Sequence, residues 1–128
     1  MWLVSAGLYL YSNFLQSTIP TELGDLGSLE QLDLGSNKLT GVIPTELARL
    51  QELESLALYA NAITGNIPMS FQHLVNLKLL YLDKTSLAPP IAVRICNTLE
   101  LDEFWTDCTE LGGCPCCTNC CEDGKACT

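Results

Sequence analysis

Leucines recur along this chain at a fixed period, in pairs whose members are separated by one residue. Side chains alternate between the two faces of a strand, so both leucines of a pair point to the same side of a short extended segment. The pairs, whose equivalent members are 24 apart in the numbering, are Leu8 and Leu10, Leu32 and Leu34, Leu56 and Leu58, and Leu80 and Leu82. Self-similarity at a period of this length predicts stacked structural repeats, each supplying one strand to a parallel sheet.

The polar and turn-forming positions of the unit keep the same spacing. An asparagine lies three residues after a leucine pair, where its amide can satisfy buried backbone groups. A glycine then permits a turn, and a proline fixes φ at the start of the return to the next strand. A later pair of apolar residues three apart favours a short 3₁₀ or irregular return. The polar and turn positions are Asn13, Asn37 and Asn61, Gly41 and Gly65, and Pro20, Pro44 and Pro68.

The last unit departs from this pattern. Leu77 is in register with the leading leucines of earlier units, but Thr85 replaces the asparagine and Ala92 replaces the proline. One further step of the same length reaches a segment around Phe104 and Thr106, which we predict to be a terminal strand. Terminal repeats are commonly atypical because they cap the core.

The unit from Leu29 to Leu50 reads L-x-x-L-x-L-x-x-N-x-L-x-G-x-I-P-x-x-L-x-x-L. It matches the leucine-rich repeat pattern, and its second half resembles the plant-type subclass of that family. The resemblance covers residues 2–95. It implies an α/β leucine-rich repeat solenoid with a parallel concave sheet, irregular or 3₁₀ convex returns, and a ladder of asparagine side chains. We therefore predict repeats over residues 1–95, followed by a terminal strand and an acidic, Cys-rich cap over residues 96–128.

The segment from Trp2 to Leu10 has two interpretations. It resembles the apolar core of a signal peptide, but it lacks a basic region before that core, and Leu8 and Leu10 are in repeat register. We favour a repeat, which leaves an open strand edge without a cap. This edge indicates a fragment of a longer protein, truncated at its N-terminus and able to contact missing upstream repeats, or else a pairing interface.

Charge and hydropathy narrow the classes of partner. The chain has 128 residues with 15 acidic and 6 basic side chains, a net charge of −9. Residues 96–128 hold seven of the acids and one of the bases, and so contribute −6 of that charge. This balance disfavours nucleic acid and anionic membrane as partners. No run of 18 apolar residues exists, so we predict no membrane insertion in this chain.

All the cysteines lie at or after residue 96. An even number in a short segment indicates a disulfide cluster of undetermined pairing, and hence a secreted protein or the extracellular side of a membrane. The C-x-C and C-x-x-C spacings leave metal binding by this tail as an alternative, but we predict no cofactor. The run from Cys114 to Cys121 resembles tails of algal (diatom-like) secreted leucine-rich repeat proteins. The cysteines are Cys96, Cys108, Cys114, Cys116, Cys117, Cys120, Cys121 and Cys127.

Residues that alternate with the buried leucines should form the exposed concave face. Aromatic side chains dominate the anchors of protein interfaces, which makes this face the candidate binding surface. Neighbours one repeat apart lie about 4.8 Å from each other, so the rings of Tyr81 and Trp105 should be able to stack. The alternative is that these aromatics only stabilise the sheet. The candidate residues are Tyr9, Tyr11, Asp33, Tyr59, Tyr81, Asp83, Lys84, Trp105 and Asp107.

Catalysis is not expected. The single histidine, His73, falls on the convex side, so no Ser/His/Asp or Cys/His set can be assembled. The leading hypothesis is a non-catalytic recognition module that binds a protein, peptide or glycan. The family resemblance implies receptor ectodomains and secreted enzyme inhibitors as roles. The alternatives are a metal-binding tail and a structural fragment of a larger repeat protein.

Overall fold

The computed structural model describes residues 6–88, 93–107 and 116–121. Within these ranges, ten strands form two parallel sheets. The strands are β1 (Gly7–Tyr9), β2 (Gln16–Thr18), β3 (Gln31–Asp33), β4 (Lys38–Val42), β5 (Ser55–Ala57), β6 (Ala62–Gly65), β7 (Leu79–Tyr81), β8 (Ser86–Leu87), β9 (Glu103–Asp107) and β10 (Asn119–Cys121). Short 3₁₀ helices span Thr21–Asp25, Thr45–Arg49 and Met69–His73, and one α-helix, α1, spans Val93–Thr98.

The first sheet confirms the predicted solenoid. Its strand order is β1-β3-β5-β7-β9-β10, and the first five strands pair residues 24 apart. The predicted terminal strand is present as β9, where Phe104 takes the position of the leucine in line with Leu80. The second leucine of each pair lies just past its strand, yet the N–H of Leu34 still donates to the carbonyl of Ala57 on the next strand.

The second sheet was not predicted. Its order is β2-β4-β6-β8, and it pairs residues 22 apart, such as Thr18 with Thr40 and Thr64 with Ser86. It follows the turn that leaves the first sheet, so each repeat crosses two sheets before it reaches its helix. The difference in register staggers this sheet relative to the concave one.

The convex returns are 3₁₀ helices, as the proline and leucine spacings predicted. Each begins directly after a proline with φ near −60°, namely −63° at Pro20, −64° at Pro44 and −58° at Pro68. Each helix from the second repeat onward buries one large apolar side chain, Leu47 or Phe71. The core between sheets and helices is a continuous apolar strip in which these two side chains and Phe104 are fully buried.

The asparagine ladder is also present. Asn61 is 7% exposed. Its carbonyl oxygen accepts the N–H of Leu39 at 2.9 Å, and its amide nitrogen donates to the carbonyls of Leu34, Leu58 and Tyr59 at 2.9, 3.1 and 3.2 Å. Asn37 makes the equivalent bonds one repeat earlier. These side chains therefore join consecutive repeats through backbone groups that would otherwise be buried without partners.

In every described repeat, a residue with left-handed backbone conformation follows the strand of the first sheet. Ser12, Ser36, Ala60 and Lys84 hold the same position in successive repeats and have φ of 54°, 52°, 50° and 54°. Side chains disfavour this region because Cβ crowds the following carbonyl oxygen. The conformation persists at each step because the neighbouring backbone is fixed by the next strand: the N–H of Ala60 donates to the carbonyl of Asp83 at 2.9 Å.

The C-terminal part closes the last repeat. Cys96, in α1, forms a disulfide with Cys116, and Cys117 is also disulfide-bonded. The hydroxyl of Thr118 bonds both the N–H and the carbonyl of Phe104, at 2.8 and 3.1 Å. The predicted disulfides of Cys108, Cys114 and Cys127, and the side chains of Cys120 and Cys121, lie outside the described residues. In the described ranges, no helix has the length and apolarity needed to cross a membrane.

Candidate functional site

The outward side chains of the first sheet enclose a cavity of about 500 Å³ on the concave face. Seven of the nine residues predicted from alternation line it; Tyr11 and Asp107 do not. The seven are Tyr9, Asp33, Tyr59, Tyr81, Asp83, Lys84 and Trp105. The structure thus gathers most of the candidate residues into one concave surface.

Sequence reasoning missed further outward residues that line this cavity. Gln31 and Ser55 precede the buried leucines of their strands and line the cavity beside the predicted residues. Both also line a second concavity of about 350 Å³, together with Glu54, Lys78 and Asp102. Alternation was the signal that could have found them, because Gln31 points to the same side as Asp33. The two concavities therefore share Gln31 and Ser55 in their linings.

One wall of the cavity is aromatic. The rings of Tyr81 and Trp105 meet edge to face, with centroids 5.9 Å apart and an interplanar angle of 68°. The predicted contact is therefore present, but the rings are not stacked in parallel. Edge-to-face pairing is favoured because the positive rim of one ring faces the negative face of the other. The arrangement leaves an apolar surface beside a polar one.

The tyrosine hydroxyls are tied to the next strand. Tyr81 donates to the carboxylate of Glu103 at 2.8 Å, and Tyr9 donates to the side-chain oxygen of Gln31. Burial, followed by the hydrogen bond and the negative charge of Glu103, raises the pKa of Tyr81 to about 12. Tyr81 therefore stays a neutral hydrogen-bond donor at physiological pH, and its ring orientation is fixed.

Tyr59 owes its position to a glycine one repeat earlier. A Cβ added to Gly35 would lie 2.2 Å from a carbon of the Tyr59 ring, so only glycine lets the ring lie flat over this strand. Burial raises the pKa of the Tyr59 hydroxyl, and the charges of Asp33 and, more weakly, Asp83 raise it further. Both carboxylates thus act on the hydroxyl of the same tyrosine, and all three residues line the cavity.

The carboxylates differ in what they bind. Asp33 accepts the N–H of Gly35 at 2.9 Å. Asp107 accepts the N–H of Lys84 at 2.8 Å and that of Thr85 at 3.1 Å, so it holds the loop after β7. Thr85 itself keeps one bond of the asparagine that it replaces, since its hydroxyl donates to the carbonyl of Leu82 at 2.8 Å. Asp107 therefore positions Asp83 and Lys84 from outside the cavity.

Asp83 is 7% exposed and lines the cavity. Burial raises the pKa of its carboxyl, and the charge of Asp107 adds to this effect, while its own backbone N–H and the charge of Lys84 oppose it. Removing a carboxylate from water is unfavourable unless a positive charge compensates it. Asp83 thus holds a negative charge at a position where it costs stability.

We expect Asp83→Asn to raise the thermal midpoint at neutral pH. A folded-state pKa above the unfolded value means that the ionised carboxylate destabilises the fold at pH values above both. The gain of the variant should shrink as pH falls through the raised folded-state pKa toward the ordinary value near 3.9. Thermal unfolding of both proteins across this range checks the sign. A variant less stable than the original at neutral pH would contradict the assignment.

Comparison with known proteins identifies the repeats, because residues 6–63 match the family model described as leucine rich repeat. Residues 6–63 are leucine-rich repeats. Among solved structures, the plant peptide hormone receptor RGFR1 in complex with RGF2 is similar, with 37% identity and a TM-score of 0.76 over 80% of this chain and 16% of that one. The ectodomain of BIR2 from Arabidopsis thaliana has 38% identity and a TM-score of 0.68 over 70% of this chain and 47% of that one.

A third neighbour has a different activity. A plant ice-binding protein has 29% identity and a TM-score of 0.71 over 80% of this chain and 33% of that one. The chain thus spans less than half the length of each of the three structures. A search of the curated proteins found no match.

Proposed function

We propose that the protein is a non-catalytic recognition module, which binds a protein or a peptide across the concave face of its first sheet. The observation that carries the proposal is the cavity, where two fixed aromatic rings and a buried carboxylate converge. Ligand sites typically combine a mostly apolar lining with a few well-placed polar groups. The similarity to RGFR1 in complex with RGF2 and to PEPR1 with AtPEP1 supports a peptide as the ligand.

The cavity favours a peptide over an ice surface. Since one structural neighbour is an ice-binding protein, the fold by itself does not choose the ligand. A concavity of about 500 Å³ receives a side chain or another small projecting group, whereas a flat lattice cannot enter it. The second concavity, which shares Gln31 and Ser55 with the first, suits an extended chain that crosses several strands. A glycan is the remaining alternative ligand, and a binding screen must distinguish it from a peptide.

A location outside the cell follows from the same proposal. The Cys96–Cys116 disulfide persists in oxidising compartments and is rare in the cytosol. These two cysteines are bonded to each other, so they are not available as metal ligands. Among the described residues, no group of three or more His, Cys, Asp or Glu side chains could hold a metal ion. Titration of free thiols in the non-reduced protein tests the remaining cysteines, and many free thiols with stoichiometric zinc would favour the metal-binding tail.

We expect Tyr81→Ala and Trp105→Ala each to weaken binding of a cognate partner more than tenfold. Truncating an aromatic anchor at the centre of an interface often costs about 2 kcal/mol or more. The partner would be captured from secreted material, or found on a glycan array, and its affinity measured by calorimetry.

Phe14→Ala is the matched control, because Phe14 is an aromatic side chain 83% exposed and outside the cavity. His73→Ala tests the convex side, where it lies at the end of the third 3₁₀ helix. If both cavity variants bind normally while the His73 variant fails, the interface lies on the convex side and the proposal is wrong.

A further inference from the structure

The carboxylate of Asp83 forms no ion pair with any residue that the structure describes. Its own backbone N–H favours the ionised form of the carboxylate. The one ion pair among the described residues joins Arg49 and Asp25, at 3.3 Å, on the convex side. The neighbouring Lys84 is exposed and forms no ion pair with a described carboxylate. Asp83 therefore lines the cavity as a largely buried carboxylate that the charge of Lys84 compensates in part and that forms no ion pair with a described residue.

The surroundings of Asp83 suit a planar cation. Tyr59 lines the cavity together with Asp83 and Asp33. A guanidinium over the Tyr59 ring would gain from the ring's negative face while it reaches either carboxylate. Arginine fits this role better than lysine, because its flat fork binds carboxylates and stacks on aromatic rings at once.

We propose that the cavity takes an arginine side chain of a peptide partner, with Asp83 as its charge partner and with Tyr59 and Asp33 of the same lining as further contacts. The inference rests on the proposed recognition of a peptide by the same face. The rings of Tyr81 and Trp105 supply the apolar wall for the rest of the peptide. The net charge of −9 attracts a basic segment over longer distances and speeds its encounter with the site.

The test uses short peptides as probes. Fluorescent pentapeptides with arginine, lysine, citrulline or glutamate between alanine pairs are titrated with the full chain. Citrulline is the neutral counterpart of arginine with nearly the same shape. We expect the arginine probe to bind at least about tenfold more tightly than the citrulline probe, the size of effect typical of a hydrogen bond to a charged group. Equal binding of both probes, stronger binding of the glutamate probe, or no binding of the arginine probe at millimolar concentration overturns the inference.

Matched variants locate the effect. Asp83→Asn should weaken the arginine probe at least about tenfold and leave the citrulline probe unchanged. Asp25→Asn removes the same charge from the exposed convex side and should change arginine affinity by less than about twofold. Equal losses in both variants would show attraction by net charge alone and would overturn the assignment to Asp83. Lys84→Ala should tighten arginine binding, since it removes a repelling cation from the cavity rim.

The two proposals fail in different ways. A captured partner that loses affinity in Tyr81→Ala and Trp105→Ala but binds Asp83→Asn normally would keep the concave face as the interface and exclude the arginine site. A partner that tolerates all three substitutions would exclude the concave face itself. Thermal unfolding of each variant separates a loss of binding from a loss of structure.

Discussion

Replacing Asn61 with alanine is expected to lower the free energy of unfolding by more than about 3 kcal/mol. One buried polar group left without a partner costs about 1–3 kcal/mol, and this substitution leaves several. The N–H of Leu39 would lose its acceptor, and the carbonyls of Leu34 and Leu58 would lose a donor. The space that the lost amide group leaves is too small for several water molecules, and the alanine side chain has no polar atom to replace the lost bonds. Because the lost bonds join two repeats, the effect should reach both. Chemical denaturation of the variant and the original protein measures it.

Asn13→Ala is the control for this prediction. Asn13 holds the same position in its repeat, but it is exposed and donates only to the nearby carbonyls of Leu10 and Tyr11. Water can replace those bonds, so the cost should stay within about 0.5 kcal/mol. Equal losses for both variants would mean that the ladder contributes by helping each loop form locally, and not by joining buried repeats.

Removal of the Cys96–Cys116 disulfide should destabilise the protein by about 3 kcal/mol. The bond closes a loop with a sequence separation of 20 residues, and the entropy that such a link removes from the unfolded chain is of this size. The loss should concentrate in the last repeat, because the bond ties α1 to the segment that covers Phe104 through Thr118. A Cys96→Ala/Cys116→Ala variant isolates this bond from the other cysteines.

Hydrogen exchange locates the effect of that double variant. Amides of β9 and β7 should exchange faster, while those of β3 and β5 keep most of their protection. Uniform acceleration along the chain would show that all repeats open together and that the last repeat is not destabilised separately. Unchanged exchange over residues 77–106 would show that the bond does not close the last repeat.

The first sheet could be predicted because its register equals the sequence period. Leu32 and Leu56 are one period apart in the chain and lie opposite each other in the sheet, so the pattern contains the pairing directly. The second sheet could not be predicted in the same way. Its paired residues are closer in sequence than one period, and the whole of β2 is exposed, so neither periodicity nor alternation marks it.

The candidate site, too, could be predicted from the sequence only in part. Alternation with the leucines placed Tyr59, Tyr81 and Trp105 on the concave face, where they line the cavity. The role of Asp107 depends on a loop whose N–H groups point toward it, and that geometry is not encoded in spacing. The burial of Asp83, and its lack of an ion pair with a described residue, depend on three-dimensional neighbours, so the sequence presented it as one acidic residue among several.

The residues with left-handed backbone conformation after the first sheet affect both the association rate and the affinity of a partner. Ala60 and Lys84 directly follow Tyr59 and Asp83, and their conformation is set when the repeats stack. The anchors are therefore held in place before any partner arrives, and association should require little rearrangement of the protein. A peptide bound there would carry nearly all of the ordering entropy itself. Its own stiffness, for instance a proline beside the arginine, then becomes the variable that sets its residence time.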